Sequence, residues 1–154
     1  KKIHKGKNKI AGEWGHNPLP WANEGELPGK KCYCGRTGCL ETFISGPAIE
    51  REFNNLHGKN LNMKNIVKES GAGNFKAEQT IRNFEDRLAR ALAHVINILD
   101  PDSIVLGGGL SNIDRLYSNV PKIWAEYIFS DDVSTVLSKA RFGDSSGVRG
   151  AAWL

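Results

Sequence analysis

The sequence is short of the features that mark several protein classes. No apolar run approaches the ~18–20 residues that a membrane helix needs. The best stretch, Leu88 to Leu99, is interrupted by Arg90, His94 and Asn97. No apolar segment follows the basic start, so it does not read as a signal peptide. A Gly-x-x-x-x-Gly-Lys-Ser/Thr motif is absent, which excludes a Walker-type phosphate site. There are only three cysteines, Cys32, Cys34 and Cys39, all within eight residues. An odd, clustered set argues against a disulfide framework and for a shared ligand. With 40% hydrophobic and 25% charged residues of both signs, the 154-residue chain is not of disordered type. A soluble, cytoplasmic protein with one domain-sized core is expected.

The net charge of +4 sits largely at one end, because five of the first nine residues are lysines. A basic arm can touch nucleic acid, but a solvated loop is the plainer reading, and no basic stripe with interleaved aromatics follows. No nucleic-acid partner is expected.

Two regions differ in character. Residues 1–45 carry glycine or proline every few positions and show no sustained period, so they read as irregular structure. A segment of that length needs a reason to stay folded, and a bound metal supplies one. Residues 46–154 read as α/β. Pro47 to Phe53 suits a short helix capped by Ser45 or Gly46, and Asn62 to Ser70 suits another. Ala77, Ile81, Phe84, Leu88, Ala91, Leu92, Val95, Ile98 and Leu99 form one apolar stripe on a long helix ended by Asp100-Pro101. Such a stripe can serve a homodimer interface as well as a core. Ser103 to Leu106 has the profile of a buried strand running into Gly107-Gly108-Gly109. A helix over about 112–129, an outer strand within 133–142 and a small-residue helix running to Leu154 complete the expected order.

The chemistry concentrates in the first region. His16, Cys32, Cys34 and Cys39 make the soft donor set of a closed tetrahedral Zn(II) site. Spacing does not single out the fourth ligand, since His4, His57 and His94 also exist, and free structural cysteines are the alternative. Glu13 and Glu41 flank the proposed ligands; they are either surface acids or convergent acceptors for vicinal hydroxyls. The Gly107–Ser111 turn lets a ligand approach the backbone, but a glycine turn by itself is a weak signal.

Glu13-Trp14-Gly15-His16, Cys32-Tyr33-Cys34-Gly35-Arg36-Thr37-Gly38-Cys39-Leu40-Glu41 and Val105-Leu106-Gly107-Gly108-Gly109 resemble the ROK family of repressors and sugar kinases. Gly12 to Trp21 and Gly143 to Trp153 look like its fructokinase, or mannose/fructose kinase, branch. The resemblance covers essentially the whole chain. It implies the C-terminal lobe of an actin-like ATPase (ribonuclease H-like) sugar-kinase fold, with zinc on His16, Cys32, Cys34 and Cys39. It also implies sugar contacts from Glu13, His16 and Glu41, and a Mg-ATP cleft lined by Pro47, Gly107, Gly108, Gly109, Leu110 and Ser111. The family's Asp-x-Gly-x-Thr phosphate loop, Asn-Asp general base and second glycine-rich hairpin are not in this sequence. The chain is therefore expected to need a partner N-terminal lobe and to be inactive alone. The parent would move a phosphoryl group to the 6-hydroxyl of fructose or mannose. A sugar-sensing repressor of the same family, and a zinc-stabilised module without ligand, stay open as alternatives.

Overall fold

The computed structural model describes residues 3–152. Lys1 and Lys2 of the basic arm, and Trp153 and Leu154 of the expected terminal helix, lie outside the described residues. Among the described residues, no helix is long and apolar enough to cross a membrane.

Residues 3–40 contain two 3₁₀ turns, Trp14–His16 and Glu24–Glu26, and otherwise irregular backbone. Two isolated antiparallel bridges, Pro18 with Cys39 and Lys31 with Thr37, fold this segment back on itself. A four-residue helix, α1 (Glu41–Ile44), closes it and was not expected from the sequence. Helix α2 (Gly46–His57) starts where Ser45 Oγ accepts the Ala48 N–H, with Pro47 in the first turn, and ends at left-handed Gly58. Asn62 caps α3 (Met63–Gly71) by accepting the Asn65 N–H at 3.0 Å. Asn74 does the same for α4 (Phe75–Leu99), accepting from Lys76 and Ala77. Asp100, at φ +43°, ends that helix as expected.

Helix α4 is the spine of the molecule. Its stripe of Ile81, Phe84, Leu88 and Leu92 packs with Phe53 of α2, Ile66 of α3, and residues that follow the next strand. The stripe frays at its end: Ile98 and Leu99 are exposed. A second, smaller cluster of Leu19, Leu40, Phe43 and Ala91 joins the irregular segment to the same helix.

Strand β1 (Ser103–Leu106) leads through a 3₁₀ turn, Gly109–Asn112, into α5 (Leu116–Trp124), then to β2 (Val136–Lys139). The two strands pair in parallel, Ser103 opposite Val136 and Leu106 opposite Lys139, so β1-α5-β2 is a crossover unit. The expectation of a buried β1 is corrected: Val105 is 60% exposed. Among the described residues the sheet has only these two strands, so nothing covers that flank. Helix α5 is also shorter than expected. Pro121 inside it has no N–H to give. Beyond Trp124, Asn97 takes over the backbone: it donates to the Tyr127 carbonyl and accepts the Phe129 N–H, both at 2.9 Å. The last element among the described residues is a short α6 (Ser146–Ala151).

Candidate metal centre and adjoining clefts

The irregular segment brings His16, Cys32, Cys34 and Cys39 together, although they span 24 residues of sequence, with one ligand atom of each lying within 4.8 Å of the others. The folding-back is local. Gly38 accepts the Leu19 N–H, Asn17 accepts the Leu40 N–H, and Arg36 accepts the Cys32 N–H, which pins the segment after His16 against the cysteine loop. Gly29, at φ +82°, permits the closest approach, since a Cβ there would stand 2.6 Å from the Gly38 Cα.

The spacing fits a small tetrahedral cation. Metal–ligand bonds of ~2.0–2.3 Å give S···S edges of about 3.8 Å and S···N edges of about 3.5 Å. Here Cys34 Sγ to Cys39 Sγ and Cys32 Sγ to His16 Nδ1 are each 3.6 Å. The thiols are also electrically unequal. The Arg36 backbone N–H holds Cys34 down to about 7, while burial chiefly pushes Cys39 up to about 11. Close sulfurs resist ionising together unless a cation lies among them. The spacing selects His16 from the four histidines; His57 packs instead on Phe53, with ring centroids 4.9 Å apart.

With Nδ1 turned toward the sulfurs, His16 presents Nε2 outward. Nε2 lies 2.9 Å from the Tyr33 hydroxyl and 3.9 Å from Glu41 Oε2. Glu13 and His16 line a cleft of about 890 Å³ with Cys34, Arg36 and the exposed face of β1. Glu41 reaches His16 but is not part of that lining. Tyr33 was not singled out from the sequence; its place between two cysteines is the signal that would have found it.

The second group of expected site residues divides. Pro47, Gly109 and Leu110 line a separate cleft of about 790 Å³, with Asn62, Lys64 and Asp144. Gly107 and Gly108 are outside that lining, although Gly108 turns at φ +77°. Ser111 is buried and inward: its hydroxyl donates to the Gly108 carbonyl at 2.7 Å, and its own carbonyl accepts from the Tyr117 hydroxyl. It braces the turn rather than facing the cleft.

A family model described as the ROK family matches residues 1–154. The chain belongs to the ROK family. An N-acetyl-D-glucosamine kinase of Photobacterium profundum is 38% identical over 156 residues, covering 99% of this chain and 52% of that protein. This ROK chain thus spans about half the length of the curated relatives it matches. The ROK hexokinase from Thermus thermophilus superposes with a TM-score of 0.82 at 27% identity, over 99% of this chain and 50% of that one. A ROK family transcriptional regulator, a homologue of the E. coli MLC protein, superposes at 0.73 with 26% identity, over 90% of this chain and 37% of that one. The fold is accordingly the mixed α/β fold of ROK sugar kinases, within the actin-like ATPase family.

Proposed function

We propose that this chain is the C-terminal half of an ATP-dependent sugar kinase, carrying the zinc loop, part of the sugar site and part of the nucleotide cleft. The observation that carries the reading is the two-sided histidine: His16 sets Nδ1 3.6 Å from the Cys32 sulfur, within the cysteine cluster, and turns Nε2 to a carboxylate and a hydroxyl. Zinc on His16, Cys32, Cys34 and Cys39 would fix the loop and the tautomer of that ring. Glu13, His16 and Glu41 would then accept and donate to neighbouring sugar hydroxyls, orienting the one to be phosphorylated. The cleft at Pro47, Gly109 and Leu110 would take Mg-ATP. Catalysis in such a site rests on positioning and charge stabilisation. A general-base aspartate would come from an N-terminal lobe.

The acceptor is a hexose or an amino sugar derived from one. Fructose or mannose follows from the motifs at Gly12–Trp21 and Gly143–Trp153, whereas curated relatives 37–38% identical over 99% of this chain bear the name N-acetyl-D-glucosamine kinase. Their 38% identity weighs toward a 2-acetamido sugar. The likeness to a transcriptional regulator supports a second reading, a sugar-sensing repressor, for the same half-site.

The test is a phosphoryl-transfer assay of the complete protein with ATP and a panel of fructose, mannose, glucose and N-acetylglucosamine. We expect turnover with one of them, none from this chain alone, and a KM raised at least tenfold by Glu41→Gln. A complete protein that phosphorylates none of the four overturns the kinase reading; a Glu41→Gln variant with unchanged KM overturns the sugar contact assigned to Glu41.

A further inference from the structure

Between Leu19 and Cys32 the loop has little apolar anchorage: Ala22 packs at the edge of the smaller cluster and the Trp21 ring leans on Tyr127, centroids 5.1 Å apart. Leu27 and Trp21 are exposed, and the one buried side chain in that interval is the carboxylate of Glu26. It is met by Arg90, which rises from the middle of α4 and is itself only 2% exposed. Arg90 Nη1 and Nη2 donate to the two Glu26 oxygens, each at 2.9 Å. The same Nη1 also donates to the carbonyls of Trp21 at 2.9 Å and Pro20 at 3.2 Å. Arg87, one turn earlier, adds Nε to Glu26 Oε1 at 2.8 Å, and the Asn23 N–H reaches Glu26 Oε2 at 3.1 Å.

We propose that Arg90 is a positioning residue for the metal centre, clasping the loop at Pro20, Trp21 and Glu26 so that His16 and Cys32 are held at ligand spacing. The inference rests on the zinc reading above and goes beyond it. The contacts fall inside the 16-residue interval that separates His16 from Cys32. A loop tied at its middle has less freedom to lose when its ends converge on an ion, so the ligands are pre-set and their release is slowed. A buried ion pair gives little net stability against an apolar substitute of equal volume, because desolvation offsets the attraction. What it gives is geometry. The planar guanidinium satisfies two carboxylates, Glu26 and Asp86, and two carbonyls at once, and lysine cannot.

A second arginine clasp serves as the control. Arg115 holds Glu78 and Glu85 with hydrogen bonds of 2.7–3.1 Å and ties α3, α4 and the start of α5, touching no residue of the loop. The experiment uses the zinc-loaded protein as expressed, and the Arg90→Lys, Glu26→Gln and Arg115→Lys variants. It measures the rate of zinc transfer to a chromogenic chelator beside the thermal midpoint. Loss of a group that orients metal ligands weakens metal sites about 10- to 100-fold. We expect zinc release to quicken at least tenfold in Arg90→Lys and Glu26→Gln, while Arg115→Lys lowers the midpoint and leaves release within twofold of the parent. Equal acceleration in all three variants makes the clasp a general stabiliser and overturns the proposal. So does unchanged release in Arg90→Lys and Glu26→Gln. A parent protein that holds no zinc overturns the metal reading itself, and the clasp with it.

Discussion

Replacing Glu26 by glutamine should remove most of one acid-sensitive component of stability and leave the shape of the side chain intact. Burial pushes the Glu26 carboxyl up, but hydrogen bonds from Arg90 and Arg87 and the Asn23 N–H outweigh it and bring the group down to about 2, from an ordinary 4.5. A depressed folded value means that the unfolded chain binds the proton first. The stabilisation is therefore complete above the unfolded value of 4.5 and is lost as pH falls toward about 2. At ~1.4 kcal/mol per unit, the displacement amounts to roughly 3 kcal/mol at neutral pH and about 1.4 kcal/mol at pH 3. The side chain is 5% exposed, so solvent screens little of it. The assay is urea unfolding of the parent and Glu26→Gln chains at a series of pH values from 7 to 3, followed by far-ultraviolet circular dichroism. Proton uptake common to both chains, that of the cysteines included, cancels in the difference. We expect the variant to be less stable by about 3 kcal/mol at pH 7 and the gap to close by about half at pH 3. A gap that is constant across the series would show that the loss is steric or local, and would refute the linkage reasoning.

Three further outcomes follow from the geometry. Cys39→Ser, at a sulfur buried among the other three ligand atoms, should abolish stoichiometric zinc, read by elemental analysis, and make the thermal midpoint insensitive to chelator. Gly29→Ala places a Cβ 2.6 Å from the Gly38 Cα at a backbone angle of φ +82°, so urea unfolding should show a loss of roughly 2–4 kcal/mol. Phe84→Ala empties the middle of the core where α4 meets its neighbours, and the same measurement should give a loss of about 3–5 kcal/mol with zinc content unchanged.

The helices were legible where local signals agree. Asn62 and Asn74 cap two of the expected helices, the second marked by its apolar period, and Asp100-Pro101 stops that long one. The convergence of the three cysteines was legible because residue type and spacing carry it directly, while His16, named with them, was one of four histidines that spacing could not rank. Three things were not legible, each for a physical reason. The end of α5 depends on Asn97, which lies 30 residues from the Tyr127 carbonyl it captures, and no window along the chain contains both. The exposure of β1 depends on which strands flank it, and an apolar run of four reads the same whether or not they are present. The inward turn of Ser111 follows from its bond to the Gly108 carbonyl, which a Gly-rich motif does not announce. Arg90 lay between these cases. A charge on the apolar side of an amphipathic helix was visible as an interruption, and its partner Glu26, 64 positions away, was not.

The pair of strands has a practical consequence for anyone handling this chain by itself. Val105 on β1 and Val136 on β2 stand uncovered, Ile98 and Leu99 at the end of α4 line one cleft with Val105, and among the described residues each strand is bonded along one side only. Unsatisfied main-chain groups beside an oily shelf invite a neighbouring molecule to add its own strand. Concentrating the purified polypeptide should therefore drive stacking between copies well before its helices melt, and light scattering would register it first.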